Sequence, residues 1–271
     1  MAFKNLMDLH SHTDNSQDGM YSATYMCEAA VNASLRALAI TDHFDCDRFE
    51  EYRLARSAKQ SMFAIKKARA VFSGKLIVVA GIELGQPLAD LSAAQYGLDL
   101  NFDFVLASLH ALPEKEDFYF MDYSLPENNP EKLMKEYFEN IKKLVDWGNF
   151  DSLAHLTYPM RYIRQRCEKY PDMEDYKDDI KDIYKMLIAK DKALEINTSD
   201  LFRNFCETVP SRDLIAFYKE CGGKRITIGS DAHDFRNVGK GISEAMETAA
   251  EIGFESISLY QGRSPVEIPI K

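Results

Sequence analysis

Short apolar runs alternate along this chain with longer segments of helical periodicity. Strand-like runs fall at 5–12, 37–44, 76–84, 103–109, 151–156, 193–197 and 225–230. Between them, 23–34, 55–72, 130–147, 175–190, 211–221 and 242–252 carry apolar residues at helical spacing. Pro130 opens and Gly148 closes the third of these helices, as start and stop signals do. Strands alternating with helices predict parallel pairing through helical crossovers. A doubly wound sheet and a barrel both satisfy that rule. The chain has no glycine-rich phosphate loop after its first strand and no Pro, Gly or Ser linker, so it reads as one α/β barrel domain over residues 1–271. Residues 256–271 are expected as a closing strand or tail. Two charged, tyrosine-rich connections, 113–129 and 161–173, are long enough to be functional or mobile.

Composition narrows the function classes. A formal charge of −10 argues against a protein that coats nucleic acid, which needs a basic face. It leaves room for a small phosphorylated substrate, because bound cations invert the field locally. No apolar stretch approaches a membrane span, and the N-terminus has no long apolar run to serve as a signal peptide. The five cysteines are widely scattered without a C-x-x-C pair, which suits free thiols in a reducing cytoplasm.

The chemistry sits at the strand ends. All six histidines, His10, His12, His43, His110, His155 and His233, fall at or just beyond the C-terminal end of an expected strand. The 76–84 run ends in Gly-Ile-Glu83, and the 225–230 run leads into Ser-Asp231-Ala-His233. In a parallel barrel those ends converge on one mouth. So many nitrogen and oxygen donors exceed the four that one zinc takes, and fit two or three divalent ions, Zn, Mn or Fe, sharing carboxylates. Metals about 3.5–4 Å apart suit in-line phosphoryl displacement. Phosphate capture also needs cations: Arg161, Arg164 and Arg166 follow His155, and Arg203 follows the 193–197 run. Arg161, just past a ligand-bearing strand, is the strongest of these.

These residues resemble the PHP (polymerase and histidinol phosphatase) superfamily of metal-dependent phosphoesterases. The match lies in H-S-H at His10–His12, T-D-H at Thr41–His43, the single His155 and S-D-A-H at Ser230–His233, with Glu83 and His110 between them in the same order. The resemblance implies a distorted, TIM-like (β/α)7 barrel with a trinuclear metal site. Carried over by position, His10, His12, Glu83 and Asp231 would hold one metal. His43 and His233, with Asp18, would hold a second, and Glu83, His110 and His155 a third. The stretches 154–162, 193–198 and 222–233 look most like the stand-alone histidinol-phosphate phosphatases, in which Arg161 would hold phosphate. That group often has an arginine just after Asn-Thr. Ser199 follows here, and Arg203 is the next candidate.

The expected reaction is hydrolysis of L-histidinol phosphate in histidine biosynthesis. Asp42 or a metal-bound water would protonate the leaving alkoxide, and Glu114, Glu116, Asp117 and Phe118 would receive the substrate's amine and imidazole. The alternatives are a PHP phosphoesterase for a nucleotide, sugar phosphate or phosphotyrosine, and a non-catalytic metal-binding domain.

Overall fold

In the computed structural model, which describes residues 3–203 and 205–270, the apolar runs become parallel strands. They are β1 (Met7–Asp8), β2 (Ala37–Ile40), β3 (His43–Asp45), β4 (Ile77–Gly85), β5 (Phe104–Ser108), β6 (Ser152–Leu153), β7 (Ala193–Asn197) and β8 (Ile226–Gly229). Of these, β2 and β3 form one stave broken at Thr41-Asp42, since Ala37 pairs with Ile77 and His43 with Glu83 of the same β4. Seven staves therefore run in the order β1-β2-β4-β5-β6-β7-β8. Backbone bonds join the two edges: Leu9 N–H donates to Ile228 O and Asp231 N–H to His10 O, each at 2.8 Å. The result is a nearly closed TIM-like barrel. Gly229 permits the closure, because a Cβ there would lie 2.2 Å from His10 Cβ.

Helices cover the outside: α1 (Ala23–Asn32), α2 (Leu54–Val71), α3 (Leu91–Asp99), α4 (Pro130–Trp147), α5 (Tyr158–Arg166), α6 (Lys177–Ala189), α7 (Arg212–Glu220) and α8 (Ile242–Ile252). Strands enclosed on both faces read as continuous apolar runs rather than alternating ones. In α4, Leu133, Tyr137, Ile141 and Leu144 form the buried stripe. Pro130 sits in its first turn, Asn129 accepts the Lys132 N–H at 3.0 Å, and Gly148 ends the helix at φ 70°. None of the described helices is long and apolar enough to cross a membrane.

The structure departs from the sequence expectations in four places. The expected strands 5–12 and 151–156 shrink to two-residue ladders, because their ligand-bearing ends bend into the mouth and leave regular pairing. Helix α3 was not expected; it is short, capped by Asp90, and packs its glycine, Gly97, against Phe44. Helix α5 extends into the expected 161–173 connection as far as Arg166, Pro159 being tolerated in its first turn. Finally, residues 256–270 are neither a closing strand nor a tail. They form an antiparallel hairpin, β9 (Ser256–Gln261) and β10 (Ser264–Pro269), outside the barrel sheet. Lys271 lies outside the described residues. The hairpin closes the end opposite the mouth, where Tyr260 donates to Asp151 O at 3.1 Å and stacks on Phe104.

Candidate metal centre

Glu83 is the hub of the mouth. Its side chain is fully buried in β4, and five imidazoles face its two oxygens. Oε1 lies 3.1 Å from His110 Nε2 and 2.9 Å from His155 Nε2. Oε2 lies 2.9 Å from His43 Nδ1, 3.3 Å from His10 Nε2 and 3.6 Å from His12 Nε2. Asp231 forms a second focus, with Oδ1 3.3 Å from His12 Nε2, 3.7 Å from His10 Nε2 and 3.6 Å from His233 Nδ1. The exposed Asp18 reaches over the rim to within 3.1 Å of His233 Nε2 and 3.6 Å of His43 Nε2. All nine residues expected as ligands therefore meet at one mouth.

His110 and His155 hydrogen-bond Glu83 Oε1, but hydrogen bonds do not satisfy the rest of the donor set, which fits metal ions. His10 Nε2, His12 Nε2, His43 Nδ1 and Glu83 Oε2 are buried without a hydrogen-bond partner, a costly arrangement for polar atoms unless a cation takes their lone pairs. Three sets bring their donor atoms within 4.8 Å of one another: His10, His12 and Glu83; His12, His43 and His233; and His43, Glu83 and His110. The grouping by position differs in two respects. His12 belongs to two sets, and His43 joins Glu83 and His110 while His155 meets the cluster through Glu83 Oε1.

The electrostatics follow from crowding charges out of water. Burial opposes protonation of His10, but the carboxylates of Glu195, Glu83 and Asp231 outweigh it and hold the ring well above its ordinary pKa. His43 and His110 are raised in the same way, burial being outweighed chiefly by Glu83. His12 goes the other way, down to about 3, through burial and the neighbouring His233 and His43 rings. Glu83 and Asp231 stay ionised against burial because imidazoles surround them.

Buried and half-buried carboxylates aim the ligands, and the sequence reading missed two of them. Glu195 Oε1 takes His10 Nδ1 at 2.6 Å, leaving Nε2 for a metal, while Oε2 accepts the His155 N–H at 2.8 Å. Asp45 likewise takes His110 Nδ1 at 3.1 Å. Asp45 carries a readable signal, being an acid on a strand two residues from His43 and so on the same face; Glu195 carries only that of an acid inside an otherwise apolar strand. Asp8, under His10, accepts from Ser230 N–H and Gly239 N–H at 2.8 Å and pins the β8 loop to β1. His155 and Asp231 adopt left-handed backbone, φ 24° and 55°, a strain typical of sites that the surrounding structure over-determines.

Asp42 sits differently from the expectation that it protonates a leaving group. Its carboxylate accepts from Thr13 N–H at 2.6 Å, Thr13 Oγ1 at 2.9 Å, Ser16 Oγ at 3.1 Å and Ser61 Oγ at 2.5 Å. With three of these bonds spent on the His12–Ser16 turn and the fourth on Ser61 of α2, this geometry ties a loop to a helix and leaves the carboxylate no contact to the ligand cluster. Glu114 and Glu116 also differ. They border a cavity of about 630 Å³ together with Leu109, Ala111 and Gln86, and make no contact to the ligand cluster among the bonds described. Asp117 and Phe118 instead support Tyr158, through a 3.2 Å bond from its hydroxyl and through edge-on packing.

Of the four arginines, Arg161 alone is buried beside the ligands, with Nη1 3.8 Å from Asp231 Oδ2. Arg164 pairs with Glu207 at 3.0 Å, and Arg166 donates to Tyr119 O at 2.6 Å, so both serve the scaffold. Arg203 is half-exposed and borders a cavity of about 190 Å³ with Ser199, Asp231 and Lys240.

A parallel barrel with a buried histidine–carboxylate cluster at its C-terminal mouth defines a multinuclear metal protein. Residues 8–199 match the PHP domain, and the chain belongs to that family. A probable histidinol-phosphatase of Thermotoga maritima is 26% identical over 266 residues, covering 98% of this chain and 100% of that one. A histidinol-phosphatase of Lactococcus lactis is 27% identical over 258 residues, with 94% of each chain covered. The fold matches a crystal structure of histidinol phosphate phosphatase from Lactococcus lactis, complexed with Zn, L-histidinol and phosphate, at a TM-score of 0.78. That pair shares 24% identity over 97% of this chain and 99% of the other.

Proposed function

We propose that this chain hydrolyses L-histidinol phosphate to L-histidinol and phosphate, as a metal-dependent phosphomonoesterase of histidine biosynthesis. The observation that carries the reading is Glu83, whose two oxygens face five imidazoles beside a buried arginine. The relatives named as histidinol-phosphatases along nearly their whole length supply the substrate.

In this reading the six histidines with Asp18, Glu83 and Asp231 hold two to three divalent ions, Zn, Mn or Fe. When bound, such ions supply Lewis acidity toward phosphoryl oxygens and a nucleophilic water at neutral pH. Glu195 and Asp45 hold the His10 and His110 tautomers that leave Nε2 free to ligate. Arg161 binds the phosphoryl group at the rim and neutralises charge that grows on its oxygens. Arg203, closer to solvent, contributes attraction at longer range, and Asp42 positions the His12 turn. The five free cysteines fit a reducing cytoplasm.

Phosphate release from L-histidinol phosphate, beside a panel of other phosphomonoesters and with Zn, Mn or Fe restored, tests the assignment. The expected kcat/KM is about 10⁴ M⁻¹ s⁻¹ or above, well clear of the panel. Comparable activity across the panel overturns the substrate, and no release with any of the three metals overturns the phosphatase reading.

A further inference from the structure

Arg161 can bind a phosphoryl group well only if its flat guanidinium is held with two parallel N–H bonds aimed at the oxygens. The edge formed by Nε and Nη2 is already taken. Asp200 Oδ1 lies 2.9 Å from Nε, in ion-pair contact but out of line for a hydrogen bond, and Nη2 donates to Ser199 Oγ. The other edge, ending in Nη1, is directed toward Asp231 and the ligand cluster. The Tyr158 ring lies 5.5 Å from the guanidinium carbon and limits its rotation. Ser199 is itself fixed, since its hydroxyl donates to Asn197 Oδ1 at 2.6 Å, and Asn197 donates to Glu195 at 3.2 Å. The arginine clamp is thus tied to the carboxylate that aims His10.

Asp200 is 4% exposed, and taking a carboxylate out of water is costly without a cationic partner. Arg161 is that partner, with Arg203 Nη1 at 3.5 Å from the same oxygen. A carboxylate competing with substrate would sit on the edge facing Asp231. Asp200 sits on the opposite one. We propose that Asp200 is a positioning residue which locks Arg161 with its free edge toward the metal cluster, so that affinity for the phosphoryl group depends on it. The inference rests on the phosphomonoesterase reading for its physiological meaning, but its test does not require turnover.

The test uses the metal-loaded full chain, its D200A and isosteric D200N variants, and both R161A and R161A/D200A. Calorimetric titration with inorganic phosphate is measured beside kcat and KM for L-histidinol phosphate, with bound metal determined by elemental analysis. Losing the charged lock is expected to raise the phosphate Kd and the KM of D200A about tenfold, with kcat within about threefold and metal content unchanged. D200N, which keeps an oxygen toward Nε, is expected in between. In the R161A background D200A should add less than about twofold, a coupling that a merely structural role would not produce. Unchanged or tighter phosphate binding in both Asp200 variants, or the full loss persisting without Arg161, overturns the proposal. If the parent chain binds phosphate but releases none from any ester, the phosphatase reading falls while the Asp200 result still stands on the titration.

Discussion

The two halves of the site are built in opposite ways. The centre of the ligand cluster is dry and carried largely on strands and their immediate continuations. His10, His12, Glu83 and His155 are all at most 1% exposed, and Glu195 and Asp45 hold the second nitrogens of two rings. The arginine rim, to which we assign the phosphoryl group, is carried on helix α5 and on the loop after β7, and its outer arginine, Arg203, is half in solvent. The difference follows from what each must bind. Metal ligands must keep fixed distances, which rigid buried elements impose, whereas a substrate must enter and leave through the rim.

The largest effect that would break this contrast lies at the hub. Replacing Glu83 by Gln removes the negative charge shared by five imidazoles and is expected to lower kcat by at least about a thousandfold with loss of bound metal. Elemental analysis with single-turnover phosphate release checks it, and retention of full metal content would refute Glu83 as a bridging ligand.

Next comes Glu195→Gln, which touches no metal in this reading. Weakening the 2.6 Å bond to His10 Nδ1 should cost about 10–100-fold in metal affinity, read by competition with a chelator. A loss smaller than about twofold would separate orientation from affinity at this site.

Acidity sharpens the comparison further. His10, His43 and His110 hold protons tightly in the metal-free cluster, because nearby carboxylates favour their charged forms. A ligating nitrogen must be unprotonated, so protons compete with metal and affinity must fall as pH falls. A slope of about one decade per pH unit for each proton displaced is expected in chelator titrations between pH 8 and 6. Affinity that rises on acidification would contradict the arrangement of these rings.

The smallest effect belongs to the outer rim. Arg203→Ala is expected to raise KM less than about threefold, because exposed charges are screened by water and salt. Steady-state kinetics at low and high ionic strength check this. An increase as large as that of Arg161→Ala would place the two arginines on equal terms.

What could be read from the chain alone follows the same division. Apolar runs of strand length, all but the 193–197 run ending in or leading into a histidine or an acid, predict both the parallel barrel and the gathering of ligands, because strand polarity forces all C-terminal ends to one side. His10, His12, Glu83 and Asp231 needed only that rule. The orienting acids were harder to see, since Glu195 and Asp45 resemble ordinary polar residues until the barrel brings Glu195 to His10, 185 residues away in sequence, and Asp45 to His110, 65 away.

Tertiary structure alone decided the roles at the rim. Arg161, Arg164 and Arg166 share one short helix and look alike in sequence, yet only the first turns inward, toward Asp231, Ser199 and Asp200. The same holds for Asp42. Its neighbour His43 joins the cluster, while the break in the stave turns its own carboxylate onto Thr13, Ser16 and Ser61. Local sequence sets the secondary structure and the chemistry available. The direction in which a side chain on a helix or at a strand break points depends on packing against residues far away in the chain, which no local pattern encodes.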